Sequence, residues 1–362
     1  MFRPQHSTPP PAVAALCSLC HGRLFPSSGP GRYDAGMKVK RMRTLVMGGS
    51  VFVGRHLVEE LLRRGHEVTV LNRGLTPAQH LAAVQRLTCD RRDHDAVRRA
   101  LDNAHFDAVF DVSGYTPEDV AIMVEVLRDR VEHYVFTSTV AAYARSDYAP
   151  IDEEFDLDRR PQANPYTASK VRCEDILMAA YRDHGFPVTV IRPSYVYGPH
   201  NPLTMREFSF FLRLQQGRKV IVPGNGSVLL QSGHVDDLAR AFAAVPGKRE
   251  AIGQAYNVTG EKAVTALGYV NALARIVGRE PDILFVDLER MRAMKVPVWP
   301  YAWRESQIYT IEKAKRGLGW EPGFELETGH RQTYDWFQRE GLAEMPRYDF
   351  SAEEQALAEL EA

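Results

Sequence analysis

The chain has no apolar run of about eighteen residues or more, so no membrane-spanning helix is expected. It also lacks an excess of either charge. Lys and Arg number 45 against 46 Asp and Glu, a formal net charge of -1, whereas domains built to hold nucleic acid are strongly basic. Cysteine is scarce, four in 362 residues. Cys17 and Cys20 sit in an N-terminal stretch, and Cys89 and Cys173 are scattered, which excludes a disulfide framework and points to a reducing cytoplasm. No His/Cys/Asp/Glu cluster has ligand spacing around His200 or His234, so no metal is expected. Cys17-Ser-Leu-Cys20-His21 fits haem attachment on paper, yet it lies in Pro/Ser/Gly-rich sequence without a signal peptide. Residues 1–42, including most of the basic run Lys38–Arg43, are expected to be a tail or an extension upstream of a start at Met37 or Met42. The rest is of ordinary globular composition, 44% hydrophobic and 25% charged, with ample material for a core.

From Arg43 onward, short apolar runs alternate with helical patterns. Strands are expected at Thr44–Met47, Val68–Leu71, Val84–Thr88, Ala108–Val112, Tyr134–Ser138 and Val188–Ile191. Helices are expected at Val53–Arg64, Asp95–Leu101, Glu118–Asp129 and Thr167–Asp183. Buried strands joined by helices predict an α/β fold with a doubly wound, Rossmann-type parallel sheet, because parallel strands need crossovers that cover both faces. This dinucleotide-binding unit spans 43–193. After Arg192, prolines and glycines break the chain into shorter pieces, with helices at His234–Ala244, Val264–Val277, Ile311–Leu318 and Glu327–Arg339. Residues 194–345 are expected to form mainly a smaller substrate lobe, some segments returning to the sheet, and 346–362 an acidic helical tail.

Gly48, Ser50, Val51, Phe52, Val53 and Gly54 stand between the first strand and its helix, where a phosphate-binding turn belongs. Glycines allow the tight turn, and the helix start offers unpaired N–H groups to a pyrophosphate. After the second strand, Asn72-Arg73 replaces the acid that would hold the ribose of NAD. Arg73 is placed to pair a 2′-phosphate, so the cofactor is NAD or NADP with a lean to NADP.

Tyr166-Thr-Ala-Ser-Lys170 is the sharpest chemical signal. Positions four apart on a helix face the same way, which brings phenol and ammonium together. A neighbouring cation is expected to lower the phenol's pKa, letting the pair exchange a proton with a substrate hydroxyl while hydride moves to or from a nicotinamide.

Together these motifs resemble the extended short-chain dehydrogenase/reductase superfamily of nucleotide-sugar epimerases and dehydratases, over most of residues 43 to 340. Its turn reads Gly-x-x-Gly-x-x-Gly. Gly48 and Gly54 match, and Val51 departs from it, as in an atypical branch that includes chloroplast stem-loop RNA-binding proteins. The resemblance implies cofactor contacts at Asp90, Ser113, Gly114 and Pro193, and a third catalytic hydroxyl at Thr139. Sugar 4,6-dehydratases carry Asp-Glu after that threonine; this chain has Val140-Ala141, which disfavours elimination with that acid/base pair. Tyr195 stands where an asparagine contacts a nucleotide sugar, and Leu230 where an arginine grips a diphosphate. Tyr195, His200, Gln231 and His234 are therefore substrate candidates, offering uncharged donors to a less phosphorylated sugar. The alternative is that Arg206 or Arg304 serves a phosphate. Asp236 and Asp237 are expected to cap the following helix, and Trp299, Tyr301 and Trp303 to pack in the core. The implied partner is a sugar-containing small molecule, in a homodimer carried over from the family. A net NADPH-consuming reductase and an RNA-binding protein on a degenerate scaffold are the competing readings.

Overall fold

Apolar strands and amphipathic helices alternate through the first half of the chain: β1 (Arg43–Met47), α1 (Phe52–Arg63), β2 (Glu67–Asn72), β3 (Gln85–Thr88), α2 (His94–Ala100), β4 (Ala108–Asp111), α3 (Pro117–Leu127), β5 (Tyr134–Thr137), α4 (Pro165–His184) and β6 (Val188–Pro193). The second half adds β7 (Tyr195–Tyr197), α5 (Glu207–Gln216), β8 (Val220–Pro223), β9 (Leu229–Leu230), β10 (Ser232–His234), α6 (Val235–Ala244), β11 (Gln254–Val258), β12 (Val264–Thr265), α7 (Ala266–Val277), β13 (Ile283–Val286), α8 (Leu288–Ala293), α9 (Glu312–Leu318), α10 (Leu326–Arg339) and α11 (Ser351–Glu361). This computed structural model describes residues 40–361 apart from 77–78, 83, 203–205, 294–298, 302–305 and 343–348. The readings of Cys17, Cys20, His21, the start of the basic run, Trp303 and Arg304 lie outside the described residues.

Seven parallel strands form one sheet in the order β11-β6-β5-β4-β1-β2-β3. The expected Rossmann-type fold is present, with the order reversing between β1 and β4. Open α/β sheets bind ligands beyond the carboxyl ends of the strands at such a reversal. Side chains alternate across each strand. Val46 and Phe110 face a core closed by Leu57, Leu61, Phe242 and Leu318 of α1, α6 and α9. Leu45 and Val109 face a second core closed by Val97, Met123 and Leu177 of α2, α3 and α4. A third core joins α5, β8, α7 and α10 around Phe210, Phe211, Tyr269 and Phe337.

Local chemistry fixes the helices that matter for the site. At α4 the Asn164 side chain accepts from the Tyr166 N–H, Pro165 occupies the first turn, and left-handed Gly185 ends the helix. Proline at that position gives up an N–H that would have no partner. α3 begins with a reciprocal capping box between Thr116 and Asp119. Among the elements that the sequence reading did not place are β11 and α5. β11 extends the main sheet beside β6, and α5 runs through Glu-Phe-Ser-Phe-Phe-Leu-Arg-Leu. α5 is buried on almost every side, so it has no polar stripe by which a helix is recognised.

Candidate functional site

The turn after β1 is shaped by its glycines. Gly48 has a φ of +102°, and a Cβ on Gly54 would lie 2.6 Å from the Gly48 carbonyl oxygen. The first turn of α1 can press against the loop only because no side chain stands there. Val51 has ordinary extended backbone (φ -134°, ψ 146°) and leaves 42% of its surface exposed. It forms a wall of the groove and does not close it. A cleft of about 400 Å³ opens beside it, lined by Gly48, Ser50, Val51, Asn72, Arg73, Asp90 and Ser113 among others. That volume lies within the usual range for small-molecule sites. Seven sequence-expected cofactor positions thus share one cleft at the strand-order reversal, and the residues fit a dinucleotide.

The cleft's remaining contacts are mostly structural ties. Asn72 donates from Nδ2 to Ser50 Oγ at 2.8 Å and accepts from the Gly74 N–H at 2.9 Å, pinning the end of β2 to the phosphate turn. Asp90 accepts from the Arg92 N–H at 3.0 Å. Phe52 has a positive φ of 40° and meets His56 edge-on at 6.3 Å. Val53 packs toward the sheet core. Pro193 is buried at the end of β6, in register with Val258.

Arg91, which sequence reading passed over, holds the cleft floor. Its guanidinium bonds Asp111 at 2.7 and 2.8 Å and Ser113 Oγ at 2.9 Å, and reaches Asp119 at 3.1 Å. Burial alone would raise the Asp111 carboxyl, but Arg91 outweighs it and holds the group below its usual range. A signal was available: Asp111 ends an apolar strand, and a buried carboxylate needs a cation.

Tyr166, Lys170 and Thr139 come together beyond this floor. Thr139 lies two residues past β5, where its Oγ1 accepts from the Ala141 N–H at 3.1 Å. Lys170 is 2% exposed, and its ammonium donates to the carbonyls of Gly114 and Thr137 at 2.7 and 2.6 Å. Ser169 donates to the Tyr115 carbonyl at 2.7 Å, so α4 clasps the 113–116 loop twice. Tyr115, also unforeseen, links the two halves: it lines the cleft, and its ring lies 4.9 Å from the Lys170 ammonium.

The expected electrostatics need correction. Lys170 stands 6.0 Å from the Tyr166 ring centroid and spends its protons on the main chain. Although 45% of Tyr166 is exposed, burial of its ring and the neighbouring Tyr115 raise the phenol above its ordinary value, against the Thr139 hydrogen bond and the charge of Arg206. Burial pulls Lys170 down to about 8 against the attraction of Asp111. Free Tyr166 therefore keeps its proton.

The substrate candidates scatter. Tyr195 packs edge-on against Tyr301 at 5.1 Å under the Arg206 guanidinium. Gln231 has its amide bound to the main chain of Gly260 and Tyr309, so it braces β9 and β10 and has no free donor for a sugar. His234 is buried, stacked on Phe324 at 3.9 Å, and caps α6 by accepting from the Asp236 N–H at 3.2 Å. Asp236 and Asp237 do not cap that helix: Asp236 accepts from His56 at 2.6 Å, and Asp237 from the N–H groups of Gly323 and Phe324 at 3.0 and 3.1 Å. A histidine acceptor had displaced the expected carboxylate caps. His200 sits against α1, its Nδ1 3.4 Å from Arg55. Trp299 and Tyr301 are core residues, 3% and 5% exposed. Among the described residues no group of three or more His, Cys, Asp or Glu is placed to hold a metal ion, and no helix is long and apolar enough to cross a membrane.

Comparison with known proteins now adds to this geometry. Residues 44–259 match the model of the NAD dependent epimerase/dehydratase family. The chain is 34% identical over 308 residues to the chloroplast stem-loop binding protein of 41 kDa b from Arabidopsis thaliana, covering 81% of this chain and 78% of that one. It is 23% identical to the dTDP-D-glucose 4,6-dehydratase of Bos taurus, covering 82% and 88%. The UDP-glucose 4-epimerase of Thermus thermophilus, solved with NAD, superposes with a TM-score of 0.66 at 25% identity over 82% of this chain and 99% of that one. The chain belongs to the NAD dependent epimerase/dehydratase family: it is an enzyme of the short-chain dehydrogenase type whose cofactor is a nicotinamide dinucleotide.

Proposed function

We propose that this enzyme acts on a hydroxyl of a sugar-containing small molecule by transient oxidation followed by epimerisation or elimination, the hydride being returned. The gathering of Tyr166, Thr139 and Lys170, joined to the dinucleotide cleft through Tyr115, carries this reading. When bound, the nicotinamide would accept a hydride and later return it, and its oxidised ring would bring a positive charge that favours the phenolate. Thr139 orients the reacting oxygen by hydrogen bonding. Tyr166 takes the hydroxyl proton as the carbon loses its hydride, and gives a proton back when the hydride returns. Lys170 holds the 113–116 loop and supplies a nearby positive charge.

Relatives named for work on dTDP-glucose and UDP-glucose support a sugar substrate. Val140 is buried and no acid follows Thr139, which favours epimerisation over elimination by the dehydratase pair. A homodimer in a reducing compartment completes the reading; both described cysteines are free thiols. Purified protein is denatured and the released dinucleotide identified by mass, and Tyr166→Phe is assayed for turnover. Tyr166→Phe should lose at least about 100-fold in kcat while keeping the cofactor; full activity in that variant would sink the mechanism.

Two observations favour other readings. Arg73 and Arg92 both rim the cleft, which suits NADPH and a net reductase; stoichiometric loss of absorbance at about 340 nm with substrate would select it. The 34% relative is named as a stem-loop binding protein, which suits a nucleic-acid role. Steeply salt-dependent RNA affinity without dinucleotide binding would select that role.

A further inference from the structure

Arg206 immediately precedes α5 and is half-buried. Its guanidinium carbon lies 5.3 Å from the Tyr195 ring centroid, and Nη1 donates to the Val196 carbonyl at 3.3 Å. The side chain is thereby laid along β7. Its charge reaches the Tyr166 phenol and, deeper in the lobe, Tyr301. Among the described residues, no ion pair joins it to a carboxylate: the adjacent Glu207 turns inward, accepting from Asn201 and the Gly198 N–H. Other arginines nearby are neutralised, Arg55 by Glu59, Arg192 by Glu174 and Arg91 by Asp111.

A partly desolvated guanidinium without a counter-ion is costly, and its planar donors match oxyanions. The alternative anchors are gone: Leu230 is buried among apolar groups, Gln231 is committed to the framework, and His234 is buried and stacked on Phe324. Aromatic Tyr195 beneath Arg206 offers an apolar surface to the body of a ligand.

The geometry points to Arg206 as the specificity-determining residue that grips one oxyanion group of the substrate, a phosphate monoester or carboxylate on the sugar, and so sets which hydroxyl faces Tyr166. This rests on the sugar-hydroxyl reading above and narrows it to a substrate with a single anionic anchor.

The test uses full-length protein saturated with its dinucleotide. Binding of glucose 1-phosphate, glucuronate and uncharged glucose is measured by calorimetry for the native protein, Arg206→Lys and Arg206→Met. At least one anionic probe should bind the native protein, the uncharged sugar much less. Arg206→Met should weaken that binding about tenfold or more, with Arg206→Lys intermediate, and should raise the pH at which Tyr166 ionises in ultraviolet difference spectra. Unchanged dinucleotide affinity in Arg206→Met shows that the fold is intact. Equal anion binding in Arg206→Met, or no anion binding by the native dinucleotide complex, overturns the proposal. Failure of the native protein to bind any dinucleotide would instead strike the enzymatic reading itself, which separates the two.

Discussion

Lys170 is a buried ammonium that gives two protons to carbonyl oxygens, one from the loop after β4 and one from the end of β5. Phe136 and Tyr115 flank it with their rings at 4.8 and 4.9 Å, so it keeps its charge without a touching carboxylate. Burial brings its pKa to about 8, below the ordinary lysine value of about 10.4. Between those limits an unfolded chain binds more protons than the folded one. This group's penalty on the fold therefore disappears as pH rises through that window, and stability increases. Carbon-13 NMR of side-chain-labelled lysine should show one resonance titrating near pH 8, absent in Lys170→Met; a Lys170 titration near 10 would contradict the burial argument. Gly54 supplies a second test. Its missing Cβ would sit 2.6 Å from a carbonyl oxygen, so Gly54→Ala should cost roughly 1–3 kcal/mol in urea denaturation and weaken dinucleotide binding in the same preparation.

At the scale of elements, α4 must hold Tyr166 within reach of Thr139, and it does so through a buried network one turn beyond Lys170. Glu174 accepts from Arg192 at 2.7 and 3.2 Å and from the Ser138 hydroxyl, and Arg192 also donates to Tyr143 at 2.8 Å. Tyr143 in turn bonds Asn257 on β11 at 2.7 Å. Removing one member leaves an unpaired buried charge. Glu174→Ala should therefore cost about 3–5 kcal/mol, while Glu174→Leu combined with Arg192→Met should recover much of that loss; denaturant midpoints of the variants decide it. These contacts explain what could and could not be read in advance. Tyr166 and Lys170 are four apart on one helix, and Gly48 to Gly54 form one turn, so local periodicity reveals them. Arg91 with Asp111, and Tyr115 over Lys170, are neighbours only after the sheet is assembled. Gln231 and His234 looked like donors in the sequence because nothing local shows that Tyr309, 78 residues away, and Phe324 would claim them.

Across the whole molecule, the C-terminal half is built around histidines that stay neutral. His330 is stacked on Tyr197 at 3.8 Å, with Nδ1 at 2.8 Å from the Leu326 carbonyl and Nε2 at 3.2 Å from the Tyr269 hydroxyl. Burial drives its pKa down to about 3 against the pull of that carbonyl, and burial holds His234 at about 4. Unfolded histidine titrates near 6.5. As pH falls below that value the unfolded chain takes protons that the folded one refuses, so stability drains away from about 6.5 down to the folded values. The Asp236 carboxyl, pulled to about 2 by His56 against the opposing effect of burial, keeps its stabilising charge through this range and loses it only at lower pH. Between pH 7 and 5 each of these histidines contributes up to roughly 2 kcal/mol of destabilisation at pH 5. The carboxyls of Glu153, Glu207 and Asp237, raised by burial, act in the opposite direction; the comparison with a histidine variant separates the histidine share. Urea unfolding at both pH values should show a large loss for the native protein, and one smaller by roughly 2 kcal/mol for His330→Gln. An identical pH dependence in that variant would mean that His330 is protonated in the folded protein, and that its stack on Tyr197 tolerates the charge.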